Sequence, residues 1–167
     1  MKSIRSAMQG LKDLLCRMAA GGVDFILAGG FGAMAHGSSS LVTRVVDVVC
    51  RMDPENLLRL HEATGDLRPV HRMTPERLSF TRDQAERGQL NNLYLSTDWG
   101  QLDCLGEIMG LGGYSECLAR SEPLDLDGQK IRVLSLEALI VAKRAMGRPR
   151  DLHTVLELEA IRERLRR

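Results

Sequence analysis

The chain has 167 residues, 44% of them hydrophobic and 27% charged, which fits one globular domain with a real core. A net charge of +1 and only 4% aromatic residues argue against a generally basic nucleic-acid binder. No apolar run approaches the ~18 residues of a membrane span, and Lys12, Asp13 and Arg17 interrupt the N-terminal pattern, so neither a span nor a signal peptide is expected.

Leu11, Leu14, Leu15 and Met18 recur at helical spacing, and Gly21-Gly22 closes that helix. Val23 to Ala28 reads as a short strand, broken by Gly29-Gly30, and Phe31 to His36 as a short helix closed by Gly37. After Ser38-Ser39-Ser40, the β-branched run from Val42 to Cys50 predicts a second strand. Asp53-Pro54-Glu55 opens a helix, with Asp as N-cap and Pro at the first helical position, running to His61 or Ala63. Residues 66–89 read as loops, with a short helix start at Thr74-Pro75-Glu76. Leu93 to Leu95 and Leu102 to Leu105 are two strands joined by a tight turn at Asp98-Trp99-Gly100. Tyr114 to Ala119 is a short helix, and Leu124 to Val133 a hairpin folded at Asp127-Gly128. Ser135 caps an apolar helix that ends at Met146 before Gly147 and Pro149. Asp151 opens the last helix, with Leu152, Val155, Leu156, Leu158 and Ile161 as its apolar positions. Strands interleaved with helices, together with antiparallel hairpins, predict an α+β class with a mixed sheet.

Chemistry concentrates at few places. Gly29-Gly30 at a strand-to-helix junction lets backbone N–H groups approach a phosphate, although such a pair is more often a plain tight turn. Asp47 stands among Val45, Val46, Val48 and Val49, where an ionised carboxylate is costly unless a metal or a cation compensates it or one strand face is solvated. Asp103, between Leu102 and Cys104, poses the same question. His36 reads as a hydrogen-bonded structural residue. Cys16, Cys50, Cys104 and Cys117 form no CxxC pair and read as buried thiols in a reducing, cytoplasmic compartment. From Lys143 onward eight Lys and Arg face four Asp and Glu, a pattern that suits cations near a helix C-terminus.

Several segments in order carry a family likeness: Leu27-Ala28-Gly29-Gly30-Phe31-Gly32-Ala33, His36-Gly37-Ser38-Ser39, Val42 to Val48, Asp53 to Asn56, Thr97 to Glu107, and Leu134 through Lys143 to Leu152. From about Val23 to Leu158 the chain resembles the nucleotidyltransferase superfamily, in the small bacterial branch related to minimal nucleotidyltransferases and nucleotidyltransferase-like toxins. The resemblance implies one domain over 1–167, with a mixed sheet flanked by helices and the C-terminal helices, 135–167, packed on it. It implies Mg²⁺ held by Asp47 and Asp103, which would be the catalytic carboxylates. Gly29, Gly30 and Ser38 would line the phosphate site, and Lys143 and Arg148 would meet a triphosphate. Asp151 would cap the last helix.

The family pattern is Asp-x-Asp followed by a third carboxylate. Aligning Asp47 with the second Asp puts Val45 where the first should stand, and Val45 can coordinate nothing. The resemblance implies transfer of a nucleoside monophosphate from a nucleoside triphosphate to an acceptor hydroxyl on a small molecule, a protein or an RNA end, impaired by Val45. The alternative is an inactive nucleotide-binding module or a partner in a toxin–antitoxin pair.

Overall fold

The computed structural model describes residues 4–39 and 44–167. Helix α1 spans Ile4–Ala20 and buries Leu11, Leu14, Leu15 and Met18, the stripe its spacing predicts. Strand β1 (Phe25–Ala28) leads into the short helix α2 (Gly29–Ala35), which begins at the glycine pair itself. Strand β2 covers Val45–Cys50; the earlier part of the expected strand, Val42 and Thr43, lies outside the described residues. Helix α3 (Pro54–Thr64) has Asp53 as N-cap, its carboxylate accepting from the Asn56 N–H at 3.0 Å.

Residues 66–89 hold more structure than their composition suggests. A 3₁₀ turn at Gly65–Leu67, a two-residue strand β3 (Val70–His71) and helix α4 (Arg82–Arg87) are present, and no helix starts at Thr74. Helix α4 is nucleated by a capping box between Thr81 and Gln84. Strands β4 (Asn92–Thr97) and β5 (Gly100–Leu105) form the expected hairpin. The small strands β6 (Glu107–Ile108) and β7 (Gly112–Gly113) pair with each other ahead of α5 (Tyr114–Ala119). Strands β8 (Ser121–Leu126) and β9 (Gln129–Leu134) make the second hairpin. Helix α6 (Leu136–Met146) is capped by Ser135, whose hydroxyl accepts from the Ala138 N–H at 3.1 Å. Helix α7 (Pro149–Leu165) starts two residues before Asp151, with Pro at its first position.

The main sheet has seven strands in the order β3-β4-β5-β2-β1-β9-β8. β1/β9 and β2/β5 are parallel and the other pairs antiparallel, so the sheet is mixed. Strand alternation splits the core in two. Val46, Val48, Cys50, Leu102 and Cys104 pack with α1 and α3 on one face. Ile26, Ala28, Val49 and Leu134 pack with α6 and α7 on the other. Asp47 and Asp103 belong to this second face, so a pair of carboxylates interrupts an otherwise apolar layer. Within α7 only Val155, Leu158 and Ile161 of the expected apolar positions are buried; Leu152 and Leu156 are exposed. No described helix is long and apolar enough to cross a membrane.

Candidate active site

Four residues stand in one row across the sheet. Register pairs Ala28 with Asp47, Asp47 with Asp103, and Asp103 with Tyr94, on strands β1, β2, β5 and β4. Asp47 and Asp103 are register partners on adjacent parallel strands, so two carboxyls stand side by side and each disfavours the ionised form of the other. Burial first, and then the charge of Asp103, push the Asp47 carboxyl up to about 6; Lys143 and Arg72 pull the other way. Val45, opposite Gln101, precedes Asp47 by two and lies on the same face.

Asp103 has a cation of its own. The Arg72 guanidinium donates to Asp103 Oδ1 from Nη2 and to the Leu95 carbonyl from Nη1 at 3.1 Å. Both side chains are largely buried, at 17% and 16% exposure, which makes this pair a fixture of the site rather than a surface contact. Arg72 is fixed because its own N–H donates to the Tyr94 carbonyl at 2.9 Å, extending the β3/β4 pairing by one residue.

Gly29 explains why a glycine stands at the end of β1. Its φ is +59°, and a Cβ there would lie 2.9 Å from the Asp47 Cβ and closer still to its Oδ2. Gly29→Ala is therefore expected to destabilise the fold by about 2 kcal/mol or more, from the left-handed backbone and the collision together. Urea unfolding measures it; a loss under about 0.5 kcal/mol would show that Asp47 is not wedged against this backbone.

The opposite wall comes from α6 and the start of α7. Lys143 Nζ lies 3.5 Å from Asp151 Oδ1, and Arg148 Nε donates to Asp151 Oδ2 at 2.5 Å. Asp151 is 1% exposed, and its hydrogen bond from Arg148 and then the nearby charge of Lys143 hold its carboxyl below the usual range. The Asp151 carboxylate also accepts from the Arg148 backbone N–H at 3.3 Å, closing the first turn of α7. Two cavities of about 430 and 540 Å³ open between this wall and the sheet, and both are lined by Asp47, Lys143 and Arg148.

Solved structures share this architecture. The lincosamide antibiotic adenylyltransferase LnuA, in a lincomycin-bound crystal structure, superposes with a TM-score of 0.60 at 16% identity, over 92% of this chain and 96% of that one. A candidate nucleotidyltransferase from Thermotoga maritima superposes with a TM-score of 0.51 at 16% identity, over 95% and 92%. The chain has the nucleotidyltransferase fold. No family model and no curated protein sequence matches it.

Within the nucleotidyltransferase fold, the positions expected from sequence separate into two groups. Gly29, Gly30, Asp47, Asp103, Lys143 and Arg148 all line one cavity or the other. Ser38 does not line either of them. Its hydroxyl donates to Glu157 Oε2 on α7 at 3.1 Å, and the same carboxylate takes the Ser39 N–H at 2.8 Å, so Ser38 ties α2 to α7. His36 Nε2 pairs with the Leu134 carbonyl at 2.8 Å, the structural role its context suggested. Arg72 was not foreseen, since nothing in residues 66–89 signals that one arginine reaches a strand carboxylate. Among the described residues no group of three His, Cys, Asp or Glu could hold a metal ion. Two adjacent carboxylates nevertheless suit Mg²⁺, which takes hard oxygen ligands and is often held by one or two carboxylates plus substrate phosphates.

Proposed function

We propose that the chain is a Mg²⁺-dependent nucleotidyltransferase, moving a nucleoside monophosphate from a nucleoside triphosphate to an acceptor hydroxyl. The observation that carries this reading is the pairing of Asp47 with Asp103 on adjacent parallel strands, in the wall of one cavity with Lys143 and Arg148. A divalent cation held by the two carboxylates would supply charge neutralisation at the phosphoryl group. Lys143 and Arg148 would grip the triphosphate by charge-assisted contacts and take up charge on the departing pyrophosphate. In the transfer, a bond forms between the acceptor oxygen and the α-phosphorus, and the bond to the pyrophosphate oxygen breaks. The hydroxyl proton passes to a carboxylate of the pair. LnuA acts on a lincosamide antibiotic, which supports a small molecule as acceptor here. The four free thiols suit a reducing cytoplasm.

A second reading has its own observation. Val45 removes one carboxylate and Arg72 already holds Asp103, which favours a nucleotide-binding module without turnover, as in a partner of a toxin–antitoxin pair. Calorimetry with a triphosphate, beside an assay with α-labelled triphosphates, separates them. Mg²⁺ is expected to strengthen nucleotide binding by about tenfold or more, equivalent to ~1.4 kcal/mol. Label transfer supports the enzyme, while binding without transfer supports the module. Tight binding indifferent to both Mg²⁺ and Asp47→Asn would sink both readings.

A further inference from the structure

Two cavities of different polarity meet at Asp47. The larger, about 540 Å³, has Tyr94, Asp103, Arg150, Asp151 and Thr154 in its wall and is the more polar of the two. The smaller, about 430 Å³, is walled mainly by Ala28, Ile108, Met109, Leu134, Leu139 and Ala142. Both volumes are those of small-molecule sites. They share Leu105, Met146, Lys143 and Arg148 besides Asp47.

The apolar cavity has a firm floor and a soft mouth. Ala28, Leu134 and Leu139 are at most 2% exposed, since they belong to the core under α6. Met109 and Met146 are 61% and 45% exposed, two long thioether chains left in water beside a cleft. Exposed apolar side chains gathered at a cavity mark a binding surface, and methionine adapts its shape to what it covers. Glu107, the first residue of β6, is the cavity's other carboxylate besides Asp47.

A nucleotide fits the polar cavity better. Arg150, Thr154 and Tyr94 line that cavity and not the apolar one, and they supply a cation, a hydroxyl and an aromatic ring. In the apolar cavity the polar edge of a base would lose water for aliphatic walls. An RNA end would set phosphates against the same walls and Glu107.

We propose that the apolar cavity is the acceptor subsite, and that the acceptor is a small uncharged molecule with a mainly apolar body whose hydroxyl reaches Asp47. This rests on the nucleotidyl-transfer reading and narrows its acceptor. Met109 is then a specificity residue at the cavity mouth.

The test uses the whole chain with ¹³C-methyl methionine, read by NMR. The probes are 3-phenyl-1-propanol and an ATP analogue with a methylene bridge between its α- and β-phosphates, the latter with Mg²⁺. The alcohol is expected to shift the Met109 and Met146 methyl signals, and to keep doing so when the nucleotide is saturating. Met109→Asp should weaken the alcohol by about tenfold or more and leave nucleotide affinity unchanged. Arg150→Ala should do the reverse. Competition between alcohol and nucleotide would overturn the proposal, because the cavity would then hold the base. Absence of any alcohol shift at these methyls would overturn it as well. A distinct result, alcohol binding without any nucleotide binding, would overturn the transfer reading and the acceptor role together while leaving an apolar site.

Discussion

Asp47→Asn is expected to lower nucleotidyl transfer by about a thousandfold or more, equivalent to ~4 kcal/mol of transition-state stabilisation, and yet to make the fold more stable above pH 6. The two effects share one cause. Asp47 is half-buried beside Asp103, and its carboxyl is pushed from 3.8 to about 6. A carboxyl whose folded value is raised binds its proton more tightly in the folded than in the unfolded chain. Its contribution is therefore most favourable below the unfolded value and is lost as pH rises from about 4 through 6. Asparagine keeps the amide neutral at every pH and leaves Arg72 on Asp103. The gain at pH 8 in chelator should be about 3 kcal/mol, and under about 1 kcal/mol at pH 4. Urea unfolding at both values decides it. A variant less stable than the parent at pH 8 would show that the pair is not a site of like-charge strain.

What the sequence disclosed about this site follows from the cost of a carboxylate in an apolar strand. Asp47 stands out in an unbroken run of valines, and Asp103, between Leu102 and Cys104, poses the same question. The caps at Asp53 and Ser135 were legible for a similar reason, since a single side chain and its local backbone decide them. Arg72 was not legible. Its role depends on Val70 pairing with Ser96, a contact between distant segments that leaves no local pattern. Ser38 was misplaced because its partner, Glu157, is 119 residues away on α7. The last helix began at Pro149 rather than Asp151, although proline at a first helical position was a readable signal. Its apolar stripe was drawn too wide. Residues 155, 158 and 161 face the core, while Leu152 and Leu156 point outward, and composition alone does not distinguish them.

Val45→Asp is expected to raise divalent-cation affinity by about tenfold or more and to increase transfer. Val45 lies opposite Gln101 on the face that carries Asp47, it is only half-buried, and it lines the polar cavity. A carboxylate there would stand in that cavity beside Asp47, not in the closed apolar layer under α6. Without metal it would add a third negative charge next to a pair already under like-charge strain, with Arg72 committed to Asp103. The variant should therefore unfold more easily than the parent in chelator, by about 1–2 kcal/mol. A cation that binds the folded chain alone restores stability in proportion to the logarithm of its concentration, so Mn²⁺ or Mg²⁺ should close and then reverse that deficit. The parent, with two carboxylates, should gain much less from the same ions. Thermal melts with and without Mn²⁺, run beside the α-label transfer assay, give both answers. If the variant's lost stability does not return with any divalent ion, Val45 is a packing residue rather than a vacated ligand position. The module without turnover would then be the better account of this chain.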